Sequence, residues 1–189
     1  MRFAICNEIF KDWAFDRACA FAKEAGYDAI EIAPFTFAPL VTDLTPERRH
    51  EIRETAARAG LAVSGIHWVL AHTEGFYVTH PDREVRARTS DYLVACVDFC
   101  ADLGGGFMIF GSPMRRNLLP GVTASQAGDY VLESFAAAIA RAAERKVTIC
   151  LEPLAPAETN FLNTAAETIA LAARAGSPAF QIMLDVKAM

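Results

Sequence analysis

Two carboxylates stand directly after apolar segments in the last quarter of the sequence. Glu152 follows the segment Val147–Leu151 and precedes a proline, and Asp185 ends the run Ile-Met-Leu-Asp185. If the two segments are neighbouring parallel strands, which lie ~4.8 Å apart, both carboxylates meet at one end of the sheet. Two partly buried carboxylates at this distance raise each other's pKa unless a cation lies between them. The pattern is typical of a site for a divalent cation with hard oxygen ligands, Mg²⁺ or Mn²⁺.

Structural roles explain the same spacing. Each carboxylate could cap a following helix or pair with a basic side chain such as Lys187, and Lys187 in turn could pair with Asp185 or reach an anionic substrate. The spacing alone leaves metal binding and these structural roles equally open.

Two more polar residues lie in or at the end of apolar segments. Glu31 stands between two isoleucines, where it either faces the mouth of a barrel or forms a structural ion pair with Arg2. His67 lies near the end of the segment Ala62–Trp68, and a lone histidine in such a place is more often a hydrogen-bonded core residue than a ligand. Both residues are candidates for a functional site.

A regular alternation of short apolar segments and longer amphipathic segments would position these residues. Six apolar segments predict strands buried on both faces, as in a parallel sheet. They are Arg2–Cys6, Asp28–Ile32, Ala62–Trp68, Phe107–Phe110, Val147–Leu151 and Phe180–Leu184. Five helices are predicted between them, beginning at the N-cap or first-turn residues Asp12, Thr45 with Pro46, Pro81, Thr123 or Ser125, and Thr164 with Glu167. The alternation indicates one α/β domain over residues 1–189.

Two architectures fit such a chain. A doubly wound nucleotide-binding sheet has a glycine-rich loop after its first strand, and the segment after Cys6, Asn-Glu-Ile-Phe10, contains no glycine. A (β/α)₈ TIM barrel fits better, although such barrels typically need ~250 residues. We therefore expect a TIM barrel that stops after strand six, with the two C-terminal βα units missing. Strands one and six would then be unpaired edges, which favours a homo-oligomer.

Composition argues against several classes of protein. Hydrophobic residues make up 53% of the 189, as in a folded globular domain. The chain has 18 basic and 23 acidic side chains, a net charge of −5, and no basic run, so we expect no nucleic-acid partner. Its apolar runs are far shorter than the ~20 residues of a membrane span, so we expect no membrane partner. Five cysteines without framework spacing predict reduced thiols and a cytoplasmic location.

The motifs in combination resemble the sugar phosphate isomerase/epimerase family of the xylose isomerase-like TIM barrel superfamily. The resemblance extends over the whole chain, and the ordered combination is more specific than any single motif. It rests on Ser-Gly-Ile-His67-Trp, Phe-Gly111-Ser-Pro, Leu-Glu152-Pro-Leu, Glu158-Thr-Asn-Phe-Leu-Asn and Met-Leu-Asp185-Val-Lys.

The resemblance implies a metal-dependent sugar or sugar-phosphate isomerase or epimerase that abstracts a proton next to a carbonyl. Its relatives hold one divalent ion through Glu, Asp, His and Glu from strands five to eight. Glu152 and Asp185 match the first two ligands, and the other two would lie beyond residue 189. Glu152 would also be the catalytic acid/base, Glu158 matches a substrate-side glutamate, and His67 becomes a candidate substrate contact.

Glu31 and Lys187 complete the candidate substrate-binding residues, and a small-molecule carbohydrate is the expected partner. Three residues after Asp185, where the ketose 3-epimerases have a substrate-binding histidine, this sequence has Ala188. Two alternatives stay open. One is an inosose-type dehydratase, which begins with a similar proton abstraction and then expels a hydroxyl. The other is a catalytically inactive fragment or binding module of the same fold.

Overall fold

Six parallel strands form a single sheet in the computed structural model, which describes residues 1–187. Each strand pairs with the next one along the chain, so the spatial order is the sequence order. The strands are β1 (Ala4–Cys6), β2 (Ala29–Ile32), β3 (Ala62–Ile66), β4 (Phe107–Phe110), β5 (Thr148–Leu151) and β6 (Phe180–Ile182). This order, with a helix between successive strands, is that of the first six strands of a TIM barrel, as predicted.

Five α-helices connect successive strands. They are α1 (Phe15–Glu24), α2 (Pro46–Arg58), α3 (Arg83–Asp102), α4 (Ala124–Arg145) and α5 (Ala165–Arg174). Short 3₁₀ turns follow β1, β2 and β4, at Asn7–Ile9, Pro34–Thr36 and Pro113–Arg115. Among the described residues, no helix has the length and apolar character needed to cross a membrane.

Local side-chain chemistry sets the beginning of three helices as the sequence predicts. Thr45, Thr123 and Thr164 each accept a hydrogen bond from the backbone N–H three residues later and so cap α2, α4 and α5. The glutamine or glutamate at the third position of α4 and α5 returns the bond and completes a capping box. In α3 the cap is Asp82, one residue after the predicted Pro81.

The prediction that Asp12 caps the first helix is wrong. Asp12 has a left-handed backbone (φ 61°), and α1 begins at Phe15 without a side-chain cap. Two aromatic residues of this segment lie outside the core, with Trp13 37% and Phe21 48% exposed. Small side chains occupy the inner face instead, and they let α1 approach the sheet closely: Ala18, Cys19 and Ala22.

A close backbone approach fixes the distance between β3 and β4. Gly65 lies opposite Phe107 in the ladder, and a Cβ added at Gly65 would stand 2.0 Å from the carbonyl oxygen of Phe107. No side chain fits there, because both clashing groups belong to backbone held in the sheet. Glycine at position 65 is therefore a requirement of strand pairing.

We expect Gly65→Ala to lower the free energy of unfolding by roughly 3 kcal/mol, since the added methyl group must push two paired strands apart. Urea denaturation followed by circular dichroism measures the change. Gly106→Ala is the matched control, because a Cβ at Gly106 meets no atom within 4 Å. Equal stability of the two variants would contradict this account of the sheet.

Candidate functional site

Three predicted residues meet at the carboxyl ends of β2, β3 and β5. The Nδ1 atom of His67 lies 3.1 Å from Oε2 of Glu31, and its Nε2 atom lies 3.6 Å from Oε2 of Glu152. The sheet fixes two of these positions, because the N–H groups of His67 and Glu152 donate to carbonyls of the neighbouring strands β2 and β4. Glu31 therefore pairs with His67 and not with Arg2, whose side chain is exposed.

His67 forms a cationic bridge between the two carboxylates. Burial lowers the pKa of the imidazole, but Glu152 and Glu31 outweigh this effect and raise the pKa of His67 to about 9. The side chain of Glu152 is 5% exposed and that of His67 is 23% exposed, so the bridge has little contact with water. His67 is thus a charged residue of the site and not a neutral core histidine.

A second cation, Arg116, lies behind Glu152 and is fully buried. Its Nη1 donates to the backbone oxygen of Glu152 over 2.6 Å, and its Nη2 contacts the backbone oxygen of Leu162 at 3.4 Å. Burial lowers the pKa of Arg116 to about 10, while the charges of Glu152 and Glu158 act in the opposite direction. The guanidinium therefore stays charged and offsets both carboxylates.

Sequence reasoning missed Arg116. Its one signal is its position, six residues after the end of β4 in a loop at the functional end of the sheet. The neighbouring Arg115, which reaches the backbone oxygen of Thr73, has the same local signal. Only the tertiary structure distinguishes the arginine that lies under the carboxylates from the one that does not.

Glu158, Lys187 and Asp185 form a second group. The Nζ of Lys187 lies 2.7 Å from Oε1 of Glu158, and its backbone N–H donates to Oδ1 of Asp185 over 2.9 Å. The hydrogen bond to Glu158 raises the pKa of Lys187, and the charges of Asp185 and Glu152 act in the same direction. The side chain of Lys187 thus pairs with Glu158 and not with Asp185.

Asp185 is not aligned with Glu152 across the neighbouring strands β5 and β6. It would be aligned only if both strands ended at the residue before the carboxylate. The strand β6 ends at Ile182, two residues before the predicted Leu184, so that Asp185 follows three residues later. The N–H of Met183 still donates to the oxygen of Leu151, which brings the chain beside β5 up to the residue before Glu152. The predicted departure at Ala188 lies outside the described residues.

The loop after β5 holds Glu158 in place through its asparagines. The Nδ2 of Asn163 donates to the backbone oxygens of Leu154 and Thr159, over 2.8 and 2.9 Å. The hydroxyl of Thr159 contacts Oδ1 of Asn117, from the loop that also contains Arg116. The residues that follow Glu158 therefore form hydrogen bonds that hold this loop in place, and with it the Glu158 carboxylate.

Strained backbone is concentrated around this end of the sheet. Trp68 has a φ of 59° and stacks on the His67 ring, with centroids 5.6 Å apart. Non-glycine residues rarely adopt this conformation, and it is found where function requires it. Five of the six such residues among those described lie in loops after strands: Asp12, Trp68, His72, Ser112 and Leu162.

The carboxylates of this site are the donor type that a hard divalent cation prefers. A Cβ at Gly111 would stand 2.2 Å from Oε2 of Glu152, so any side chain at position 111 would clash with this carboxylate. Oε2 of Glu158 is buried and has no hydrogen-bond partner among the described residues. Residues 1–187 contain no group of three or more His, Cys, Asp or Glu side chains placed to hold a metal ion, so Glu152 and Asp185 would supply part of a ligand set.

Comparison with known proteins gives a consistent fold. Residues 19–189 match the family model described as xylose isomerase-like TIM barrel. The structure is similar to that of a D-psicose 3-epimerase determined in the presence of D-fructose (TM-score 0.84, 20% identity), and it covers all of this chain and 65% of that one. No protein of curated function matches the sequence.

Two further solved structures have the same fold. One is an L-ribulose 3-epimerase (TM-score 0.80, 24% identity), and the match covers all of this chain and 61% of that one. The other is a 3-keto-D-glucoside 4-epimerase from E. coli (TM-score 0.80, 18% identity), with all of this chain and 70% of that one covered. The chain thus spans about two thirds of the length of these structures.

We expect Arg116→Met to lower the free energy of unfolding by roughly 3 kcal/mol, because the buried Glu152 and the partly buried Glu158 lose a nearby cation and two backbone oxygens lose a donor. The free energy of unfolding of Arg116→Lys should lie between those of Arg116→Met and the parent chain. Lysine keeps the positive charge but has fewer hydrogen-bond donors than the guanidinium. Chemical denaturation at neutral pH measures both changes.

Arg83→Met is the matched control, because the side chain of Arg83 is 89% exposed and lies 3.8 Å from Glu133. A loss of stability as small for Arg116→Met as for Arg83→Met would show that Arg116 does not offset buried charge.

Proposed function

The chain belongs to the xylose isomerase-like TIM barrel family, and from this premise we propose that it acts as a metal-dependent sugar or sugar-phosphate isomerase or epimerase. The observation that supports this most directly is Glu152, a buried carboxylate at the carboxyl end of β5 with cations on two sides. The sugar epimerases among the structural neighbours support a carbohydrate substrate.

Glu152 is the proposed catalytic base. Its carboxylate takes the proton from a carbon next to the substrate carbonyl, and the electron pair of the broken C–H bond moves into an enediolate. Isomerisation follows when the proton returns to the neighbouring carbon, and epimerisation follows when a proton returns to the opposite face of the same carbon. His67 lies beside this carboxylate, and Arg116 donates to the backbone oxygen of the same residue, so that both cations offset its charge in a site with little water.

Glu158 and Lys187 are the proposed substrate-binding groups on the other side of the site. The free Oε2 of Glu158 is able to accept a hydrogen bond from a sugar hydroxyl, and Lys187 is able to donate one while it holds Oε1. Glu31 acts through His67, because its only described side-chain contact is with that ring. Trp68, stacked on His67, offers an apolar face beside the polar groups.

A divalent ion, Mn²⁺ or Mg²⁺, held by Glu152 and Asp185 would polarise the carbonyl and stabilise the negative charge of the enediolate. Both ligands are carboxylates, the donor type that such ions prefer. The backbone N–H of Lys187 donates to Oδ1 of Asp185 and so orients the carboxylate that would hold the ion.

We expect the chain to catalyse deuterium incorporation next to the carbonyl of a ketose in D₂O containing Mn²⁺. Glu152→Gln should reduce the exchange rate by at least about 100-fold, because the amide cannot take up the proton. Proton NMR of D-fructose, D-tagatose and a 3-keto-D-glucoside measures the exchange.

Glu144→Gln is the control, since the side chain of Glu144 is 66% exposed on α4 and pairs with Arg141. Exchange that survives Glu152→Gln would contradict the assignment of the base. Release of water from the sugar in place of simple exchange would favour the dehydratase instead.

A further inference from the structure

Glu158 lies in the middle of the loop between β5 and α5. This loop runs from residue 152 to residue 164 and contains no helix or strand. A side chain in such a loop keeps a fixed position only if other parts of the chain hold the loop in place. The position of Glu158 relative to Glu152 therefore depends on the hydrogen bonds that the loop forms with its neighbours.

Asn117, in the loop after β4, binds the two residues that follow Glu158. Its Oδ1 accepts a hydrogen bond from the hydroxyl of Thr159 over 2.8 Å and another from the backbone N–H of Asn160 over 3.1 Å. Thr159 is buried, so the first of these bonds is shielded from competing water. A single amide oxygen thus holds the part of the loop that lies next to the substrate-side glutamate.

The backbone oxygen of Asn117 accepts hydrogen bonds from the loop after β3. Thr79 donates its hydroxyl to this oxygen over 2.7 Å, and the hydroxyl of Tyr77 lies 3.3 Å from it. Thr79 is fully buried, and the N–H of Val78 donates to the backbone oxygen of Arg115 over 3.0 Å. The loop after β3 is therefore held against the same segment of the β4 loop that contacts the β5 loop.

Arg116 and Asn117 contact different parts of the β5 loop. Arg116 donates to the backbone oxygens of Glu152 and Leu162, which lie at the beginning and near the end of the loop. Asn117 contacts the middle of the loop, next to Glu158. Loss of the Asn117 side chain would therefore loosen Glu158 and leave the attachment of Glu152 intact.

We propose that Asn117 is a positioning residue for Glu158, and that its backbone oxygen makes the position of this glutamate depend on the loop after β3. The inference rests on the proposed function, in which Glu158 binds the sugar and Glu152 takes the proton. In this role Asn117 acts through Thr159 and does not itself contact the sugar. A displacement of about 1 Å is enough to weaken the contact of a positioned group severely.

Asn117→Leu removes the acceptor oxygen and keeps a side chain of similar size. Because Glu158 contributes to binding and Glu152 to proton transfer, we expect KM to rise at least about tenfold while kcat for deuterium exchange stays within about threefold of the parent value. Asn117→Asp should keep KM within about threefold of the parent value, because its carboxylate still accepts both hydrogen bonds. Proton NMR in D₂O containing Mn²⁺ measures both constants, with whichever of D-fructose, D-tagatose and the 3-keto-D-glucoside the parent chain exchanges fastest.

Thr79→Val tests the dependence on the loop after β3. It removes one hydroxyl from the backbone oxygen of Asn117 at nearly constant side-chain size, and we expect KM to rise at least about threefold with kcat unchanged. Thr168→Val is the matched control, because Thr168 is equally buried but donates to Thr164, the cap residue of its own helix α5. Circular dichroism checks that each variant folds, and Asn117→Ala replaces the leucine variant if the latter does not.

Two outcomes overturn the positioning role while the parent chain is active: an unchanged KM in Asn117→Leu, or an equal fall in kcat in Asn117→Leu and Asn117→Asp. The second would show that any substitution at position 117 disturbs the whole site. Equal KM values for Thr79→Val and Thr168→Val would contradict the dependence on the loop after β3. A parent chain that exchanges none of the sugars would contradict the proposed function, and the positioning role would fall with it.

Discussion

The burial of Glu152 is the constraint on which the rest of this site depends. A carboxylate taken out of water costs several kcal/mol unless cations and donors replace the lost hydration. Here Arg116 lies behind it, His67 lies beside it, and position 111 has no side chain, so that the carboxylate fits. His67 follows β3, Gly111 and Arg116 follow β4, and Glu152 follows β5, which makes the site a property of the assembled sheet.

The cations themselves have to be held, and the loops around the site do this. Arg116 is directed by backbone oxygens from the segment after β5, and His67 is held by Glu31 on β2. The loop ties at Asn163 and Asn117 fix Glu158 at the other side of the site. Residues with left-handed backbone occur in the same loops, as expected where local strain is compensated by tertiary contacts.

The sequence predicts those features that depend on local chemistry. Thr45, Thr123 and Thr164 cap helices through hydrogen bonds to residues three positions later, which the sequence alone predicts. An apolar run that ends in a carboxylate and a proline likewise predicts that Glu152 lies at the end of a strand. The loop arginine Arg116 gives no local sign of its burial, because its partners are carbonyls 36 and 46 residues away. Asp12 does not cap a helix, because its backbone is left-handed and the helix begins three residues later, at Phe15.

Glu152 and Asp185 are proposed to bind one divalent cation together. Equilibrium dialysis against Mn²⁺ tests it most directly, with the parent chain beside Asp185→Asn and the exposed control Asp91→Asn. We predict about one Mn²⁺ bound per parent chain, at least tenfold weaker binding in Asp185→Asn and unchanged binding in Asp91→Asn. Absence of saturable binding to the parent chain, or binding that Asp185→Asn leaves unchanged, would contradict the account.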